Sequence, residues 1–168
     1  SIAMNHLEAF RDIQTFIFDV DGVLTDSQLL ILENGKLLRQ MNTRDGLALK
    51  KAIQAGYNLC VITGGKSEGV KIRLKNLGIN DIYTGVDDKL EAYEEYTAAY
   101  DLNADHILYM GDDLPDLDVM WKVGLPTCPS DAAPELLEMA KYISPHVGGS
   151  GCVRDVIEKV LRLNEQWV

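Results

Sequence analysis

The chain has 168 residues, 46% of them hydrophobic and 25% charged, with a formal net charge of −10. That length suits one well-buried domain, 1–168, and leaves no room for two. The acidic balance makes nucleic acid and anionic membrane poor partners for the protein as a whole, and an anionic substrate would need a local cation.

Ser1-Ile2-Ala3, ahead of Met4, read as an expression remnant and are left out of the fold reasoning. No signal-peptide pattern follows, and no apolar run nears the roughly 18 residues needed to span a bilayer. Cys60, Cys128 and Cys152 are odd in number and lack C-x-x-C spacing, which fits buried thiols in a reducing cytoplasm. The first predicted strand is Ile13 to Phe18, an apolar run that ends in Asp19-Val20-Asp21-Gly22. Strand alternation puts Asp19 and Asp21 on one face, and Gly22 turns the chain sharply.

Leu29–Leu32 and Leu37–Met41 flank Asn34-Gly35, the strongest short signal for a β-hairpin. This insert, about residues 27–42, is leucine-rich with little alternation, so both faces call for cover; a partner subunit is the expected source. Thr43 is the expected N-cap of a helix running to Ala55, with Leu47, Leu49, Ala52 and Ile53 on its apolar face. Asn58–Thr63 is a buried strand ending in Thr63-Gly64-Gly65. Ser67 caps a helix through Val70, Ile72, Leu74 and Leu77. A short strand, Asp81–Thr84, precedes a helix with Lys89 in its first turn. His106–Met110 is a strand ending in Gly111-Asp112-Asp113, followed by a helix near Leu117–Val123. Gly124–Pro126 is short and apolar, Asp131–Ala140 helical, and Tyr142-Ile143 a last strand. His146–Gly151 reads as a mobile loop and Cys152–Leu163 as a closing helix.

Strand and helix alternate, which predicts an α/β fold: a three-layer, Rossmann-like parallel sheet with helices on both faces, plus the inserted hairpin. In such a sheet the strand ends open on one edge. Asp19, Asp21, Thr63, Lys89, Asp112, Asp113 and Asp116 would then meet there. So many carboxylates repel without a cation, and hard oxygen ligands suit Mg²⁺. Each residue also has a plainer role open to it: Asp112 and Asp113 as helix caps, Asp116 as a first-turn acid, Thr63 as a strand-end hydroxyl, Lys89 as a solvated lysine. Their joint order at four strand ends outweighs those roles.

Asp19-x-Asp21-Gly22-Val23, Thr63-Gly64, Lys89 and Gly111-Asp112-Asp113-x-x-Asp116 resemble the four motifs of the haloacid dehalogenase superfamily of phosphohydrolases. The resemblance implies that Asp19 is the nucleophile and forms an aspartyl-phosphate. Asp21 would be general acid and then base; Thr63 and Lys89 would hold the phosphoryl group. Mg²⁺ would be held by the Asp19 carboxylate, the Asp21 carbonyl and Asp112, with Asp113 and Asp116 in support. About 40 residues separate Asp21 from Thr63 and are used up by the hairpin and one helix, so there is no room for a cap domain. A receiver domain, a non-enzymatic phospho-acceptor, also gathers acids, Thr and Lys. There the paired acids come first in the chain and the acceptor in the middle, opposite to the order here.

The hairpin, Thr43-Arg44-Asp45-Gly46-Leu47, Gly64-Gly65-Lys66-Ser67-Glu68 and Gly148-Gly149-Ser150-Gly151-Cys152-Val153-Arg154-Asp155 are similar to the 3-deoxy-D-manno-octulosonate 8-phosphate phosphatase family. That implies a phosphorylated 2-keto-3-deoxy sugar acid as substrate, a product used in lipopolysaccharide synthesis, and a homotetramer whose subunits complete one another's sites. Arg44, Lys66 and Arg154, with Gly64 and Gly65, are the candidate substrate-binding residues, although surface ion pairs would equally occupy Arg44 and Arg154. Lys66 stands where that family more often has Arg; Lys lacks the two-pronged fork for a carboxylate, which leaves a nine-carbon 9-phosphate open as the substrate. Trp167 either closes a neighbour's site or packs on its own helix, with the second favoured.

Overall fold

The computed structural model describes residues 2–168. Its first element is helix α1 (Ile2–Arg11), which takes in residues the sequence reading had set aside, and Phe10 joins the core from it. Strand β1 (Thr15–Phe18) is fully buried. The hairpin follows, with β2 (Leu30–Ile31) antiparallel to β3 (Leu37–Leu38). Then come α2 (Thr43–Gln54), β4 (Asn58–Ile62), α3 (Glu68–Asn76), β5 (Asp81–Tyr83), α4 (Lys89–Ala99) and β6 (Ile107–Met110). The chain closes with α5 (Leu117–Met120), β7 (Leu125–Cys128), α6 (Pro134–Met139), β8 (Tyr142–Ile143) and α7 (Cys152–Leu163).

Six strands form one parallel sheet in the order β5-β4-β1-β6-β7-β8. The chain builds outward from β1 on one side, then crosses to build outward on the other. The carboxyl end of β1 is therefore the switch point where such sheets bind ligands. Alternate residues of the strands feed two cores. Phe16, Phe18, Val61 and Leu108 pack with α2, α3 and α7. Ile17, Cys60, Ile62 and Tyr109 pack with α4, α5 and α6. This is the three-layer arrangement expected, with the hairpin inserted between β1 and α2.

Local chemistry explains most departures from the sequence reading. Asn42, not Thr43, caps α2: its side chain accepts from Arg44 N and Asp45 N. Asp45, Ala48, Leu49 and Ala52 face inward on α2, so Leu47 points out, 46% exposed. Ile72 is likewise exposed, because Val70 and Leu74 take the inner face of α3. β7 went unseen because Pro126 reads as a strand breaker, yet it pairs in register with Tyr109. α5 and α6 are shorter than their patterns suggest. The three cysteines are free and buried, and among the described residues no helix is long and apolar enough to cross a membrane.

The segment from His146 to Gly151 is held rather than loose. Gly149 N donates to Val23 O at 3.0 Å, and Gly148 N to Asp131 Oδ1 at 3.0 Å. A side chain at Gly148 would put its first carbon 2.1 Å from Gly22 O. Its glycines therefore permit close backbone approach to the turn after Asp21. Behind it, buried Asp45 reaches from α2 to accept from Arg154 N at 3.0 Å, tying down the start of α7. Its Oδ2 has no hydrogen-bond partner, and burial pushes its pKa up. Trp167 packs against its own chain, its ring 5.2 Å from the Arg154 guanidinium and close to Lys51 and Arg162.

Candidate active site

The strand ends assemble a cleft of about 480 Å³ lined by Asp19, Asp21, Thr63, Gly64, Gly65, Lys89, Asp112, Asp113 and Asp116. Asp19 follows β1 directly, and its Oδ1 accepts from Val20 N at 2.7 Å. The chain then turns through Gly22 at φ 86°, where any side chain would collide with Asp112. Gly22 is thus fixed by backbone conformation and by the approach of the second acid. Thr63 follows β4, and its Oγ1 accepts from Gly65 N at 3.2 Å, shaping the Gly64-Gly65 turn.

Lys89 opens α4, which Asp88 caps. Its Nζ lies 2.9 Å from Asp19 Oδ1 and 2.8 Å from Asp116 Oδ1, all three side chains being buried. Burial works against the lysine's charge, but the two carboxylates outweigh it and hold its pKa above normal. Asp116 also accepts from Tyr109 Oη and from Asp112 N and Asp113 N. Its oxygens are taken up in fixing Lys89 and the Gly111–Asp113 turn. Asp113 caps the following turn through Leu114 N. The plain capping role and the site role therefore coexist in this loop.

Carboxylate oxygens of Asp19, Asp112 and Asp116 lie within 4.8 Å of one another. Burial first, then Asp116, pushes the Asp19 pKa well above the usual carboxylate range against the pull of Lys89. Burial and Asp116 raise Asp112 from 3.8 to about 6. One lysine thus leaves this cluster short of positive charge. The all-oxygen donor set of Asp19, Asp112 and the backbone beside them fits Mg²⁺. A carboxylate whose folded pKa is raised favours the folded state below its unfolded pKa and loses that advantage as pH climbs through the folded value. The metal-free protein is therefore expected to lose stability between about pH 4 and pH 6, the window set by Asp112. The rise in Tm on adding Mg²⁺ should be larger above that window than below it; thermal melts with and without the ion check this.

Beside the acid cleft, sharing Gly64 and Gly65, lies a second hollow of about 700 Å³ bounded by the hairpin and the start of α3. Lys36, Arg39 and Lys66 line it, giving a basic annex to an acidic cleft. Arg44 and Arg154 line neither hollow of this chain. Arg39 and Lys36 escaped the sequence reading. Arg39 donates to both oxygens of Asp21; its one signal is a cation directly after an apolar hairpin strand. A groove of about 550 Å³ at the opposite sheet edge, near Arg11, Tyr57 and His106, lies at the amino ends of the strands, away from the acids.

The pattern of haloacid dehalogenase-like hydrolases matches residues 76–156. Over 160 residues, 95% of this chain and 86% of the relative, the sequence is 36% identical to 3-deoxy-D-manno-octulosonate 8-phosphate phosphatase of Yersinia pestis. The Escherichia coli K12 enzyme of that name is 37% identical over 90% of this chain and 80% of its own length. The fold superposes on the crystal structure of the Moraxella catarrhalis phosphatase in complex with magnesium, phosphate and a KDO molecule. Its TM-score is 0.91, at 35% identity over 95% of this chain and 92% of that one.

Proposed function

The chain belongs to the family of 3-deoxy-D-manno-octulosonate 8-phosphate phosphatases within the haloacid dehalogenase-like hydrolases, and from that membership we propose how its site works. The enzyme is a Mg²⁺-dependent phosphoric monoester hydrolase of 3-deoxy-D-manno-octulosonate 8-phosphate, serving lipopolysaccharide synthesis. It acts as one phosphatase domain, 1–168, whose insert is the hairpin at about 27–42. The supporting observation is the buried Asp19–Lys89–Asp116 arrangement, with Asp112 beside it and Asp21 two residues on.

Asp19 attacks phosphorus, dividing hydrolysis into two displacements. Asp21 gives a proton to the departing sugar oxygen, then takes one from the water that cleaves the aspartyl-phosphate. Thr63 and the Gly64-Gly65 turn hold phosphoryl oxygens. Lys89 supplies positive charge where a dianion meets a carboxylate, and Asp116 keeps it there. Asp19, the Asp21 carbonyl and Asp112 would hold Mg²⁺, which would supply positive charge against the phosphoryl group. With Arg39 engaged by Asp21, Lys36 and Lys66 of the annex suit the sugar acid beyond the phosphate, with Lys66 near its carboxylate end.

Phosphate release with Mg²⁺ across a panel of sugar phosphates tests this. The expected order is the eight-carbon keto acid first, the nine-carbon acid second and hexose phosphates far behind. Equal rates on hexose phosphates would refute the substrate. A faster nine-carbon acid would favour the alternative that Lys66 raises, and single phosphorylation without turnover would favour a phospho-acceptor.

The enzyme works as a homotetramer in the cytoplasm, with hairpins in the interface. Leu30 and Ile31 are 63% and 68% exposed, and Leu29, Leu37 and Leu38 are also open. Covering them recovers part of the about 1.5–3 kcal/mol that full burial of such a side chain is worth. Arg44 and Arg154 reach substrate only if they serve a neighbour's cleft. Ile31→Glu is expected to dissociate the assembly, read as a fall in mass by light scattering. A wild-type monomer would overturn the oligomer and the shared site together.

A further inference from the structure

The hairpin contributes more than an apolar face. Leu38, at the end of β3, is exposed, whereas the Arg39 side chain that follows is turned in against Asp21. The Arg39 side chain is only 7% exposed. Its Nε donates to Asp21 Oδ1 at 2.7 Å and its Nη2 to Asp21 Oδ2 at 3.2 Å, a two-pronged contact that sets the carboxyl plane as a single donor cannot. A first side-chain carbon at Gly65 would come within 2.9 Å of that nitrogen and 3.6 Å of Asp21 Oδ2. The longer-held oxygen of Asp21 therefore faces the Thr63–Gly65 turn. Asp21 is itself 39% side-chain exposed. Among the described residues, Arg39 is the one hydrogen-bond donor to its side chain.

We propose that Arg39 is a positioning residue for the proton step, a buried guanidinium carried in by the hairpin that fixes the direction of the Asp21 carboxyl toward the leaving oxygen. The proposal rests on the phosphatase reading above. As the bond from Asp19 to phosphorus forms, the ester P–O bond breaks and its electron pair leaves on the sugar oxygen. That oxygen takes its proton from Asp21. The short contact to Oδ1 is the pivot; the weaker one to Oδ2 yields so that this oxygen carries the proton. In the second displacement the same oxygen receives the proton of the attacking water. A carboxyl left to rotate would meet either geometry only part of the time.

The leaving group separates this role from others. A sugar alkoxide needs a proton to depart; p-nitrophenolate does not. Arg39→Met and Arg39→Lys are assayed with Mg²⁺ on 3-deoxy-D-manno-octulosonate 8-phosphate and on p-nitrophenyl phosphate, with circular dichroism and mass by light scattering measured for each variant. Arg39→Met is expected to lose about tenfold or more in kcat on the sugar acid phosphate, a fraction of the roughly 10²–10⁴-fold that a positioned acid supplies. Its KM there, and the pre-steady-state rate of p-nitrophenolate release, which reports the first displacement alone, should stay within about threefold of the parent. Arg39→Lys, one donor in place of the fork, should fall between. Equal loss in the first displacement on both substrates in a folded variant would overturn the proposal and make Arg39 structural. A raised KM with unchanged kcat would overturn it in favour of direct substrate binding. A wild-type protein inactive on both substrates would remove the phosphatase reading itself.

Discussion

Asp19→Asn is expected to abolish phosphate release, with a loss on the order of 10⁴-fold or more in kcat. An amide oxygen cannot attack phosphorus, and no neighbouring carboxylate follows β1 in the same place. Asp112 lies across the cleft on the turn after β6, and Asp21 points to Arg39. The variant should also fold well. Burial and Asp116 hold the Asp19 pKa well up, so the wild-type carboxylate is kept at a cost to stability in the metal-free protein. The amide removes that cost while still filling the space. Tm without Mg²⁺ should therefore match or exceed the parent's, while the Tm increase on adding Mg²⁺ shrinks. Full turnover in this variant would refute the covalent route.

Lys89→Met should damage both folding and turnover. The lysine joins two buried carboxylates, and removing one member of a buried charge cluster typically costs about 3–5 kcal/mol. Asp19 and Asp116 would be left facing each other with no cation between them. The sign of the pH effect follows. The raised lysine pKa means that its stabilisation is complete below its ordinary value of 10.5 and fades only above that. Across mildly acid to mildly alkaline conditions the pH dependence therefore comes from the carboxylates. Acid protonates them and spares the repulsion, so the deficit should be smaller at about pH 5 than at about pH 8. Denaturant titrations at the two pH values measure it, and Mg²⁺ should restore part of the loss at the higher one. Equal stability of variant and parent at about pH 8 would contradict this account.

How much of this could be read from the sequence differs by residue, for physical reasons. Asp19, Thr63 and Asp112 lie at the ends of buried apolar runs, Lys89 opens the helix after a short strand, and a parallel sheet brings such ends together whatever the details of packing. That part of the site is carried by periodicity and order, so it was legible. β7 was not, because Pro126 breaks the local pattern while the neighbouring strands supply the register. Asp45 stands in the first turn of α2, where sequence offers it only the helix dipole, but its partner, Arg154 N, lies 109 residues away in the chain. Arg39 was hidden for a similar reason. Its meaning depends on how a two-residue strand folds back over the cleft, which leucine content does not encode. The glycine-rich stretch 148–151 suggests mobility from composition alone; only the approach of Gly148 to Gly22 shows why glycine stands there.

That approach bears on how the enzyme comes to life during synthesis. A nascent chain that has emerged as far as β6 already holds Asp19, Asp21, Thr63 and Lys89. The turn after Asp21 still lacks its support. Val23 O receives Gly149 N and the Cys152 thiol, the latter 129 residues further along. Contacts so distant in sequence form late, because closing a long loop precedes any gain from it. Turnover should thus appear only after α7 has left the ribosome and docked. Phosphate release measured on stalled chains of increasing length would place that moment, and activity before α7 emerges would show that the nucleophile's turn holds its shape without the glycines.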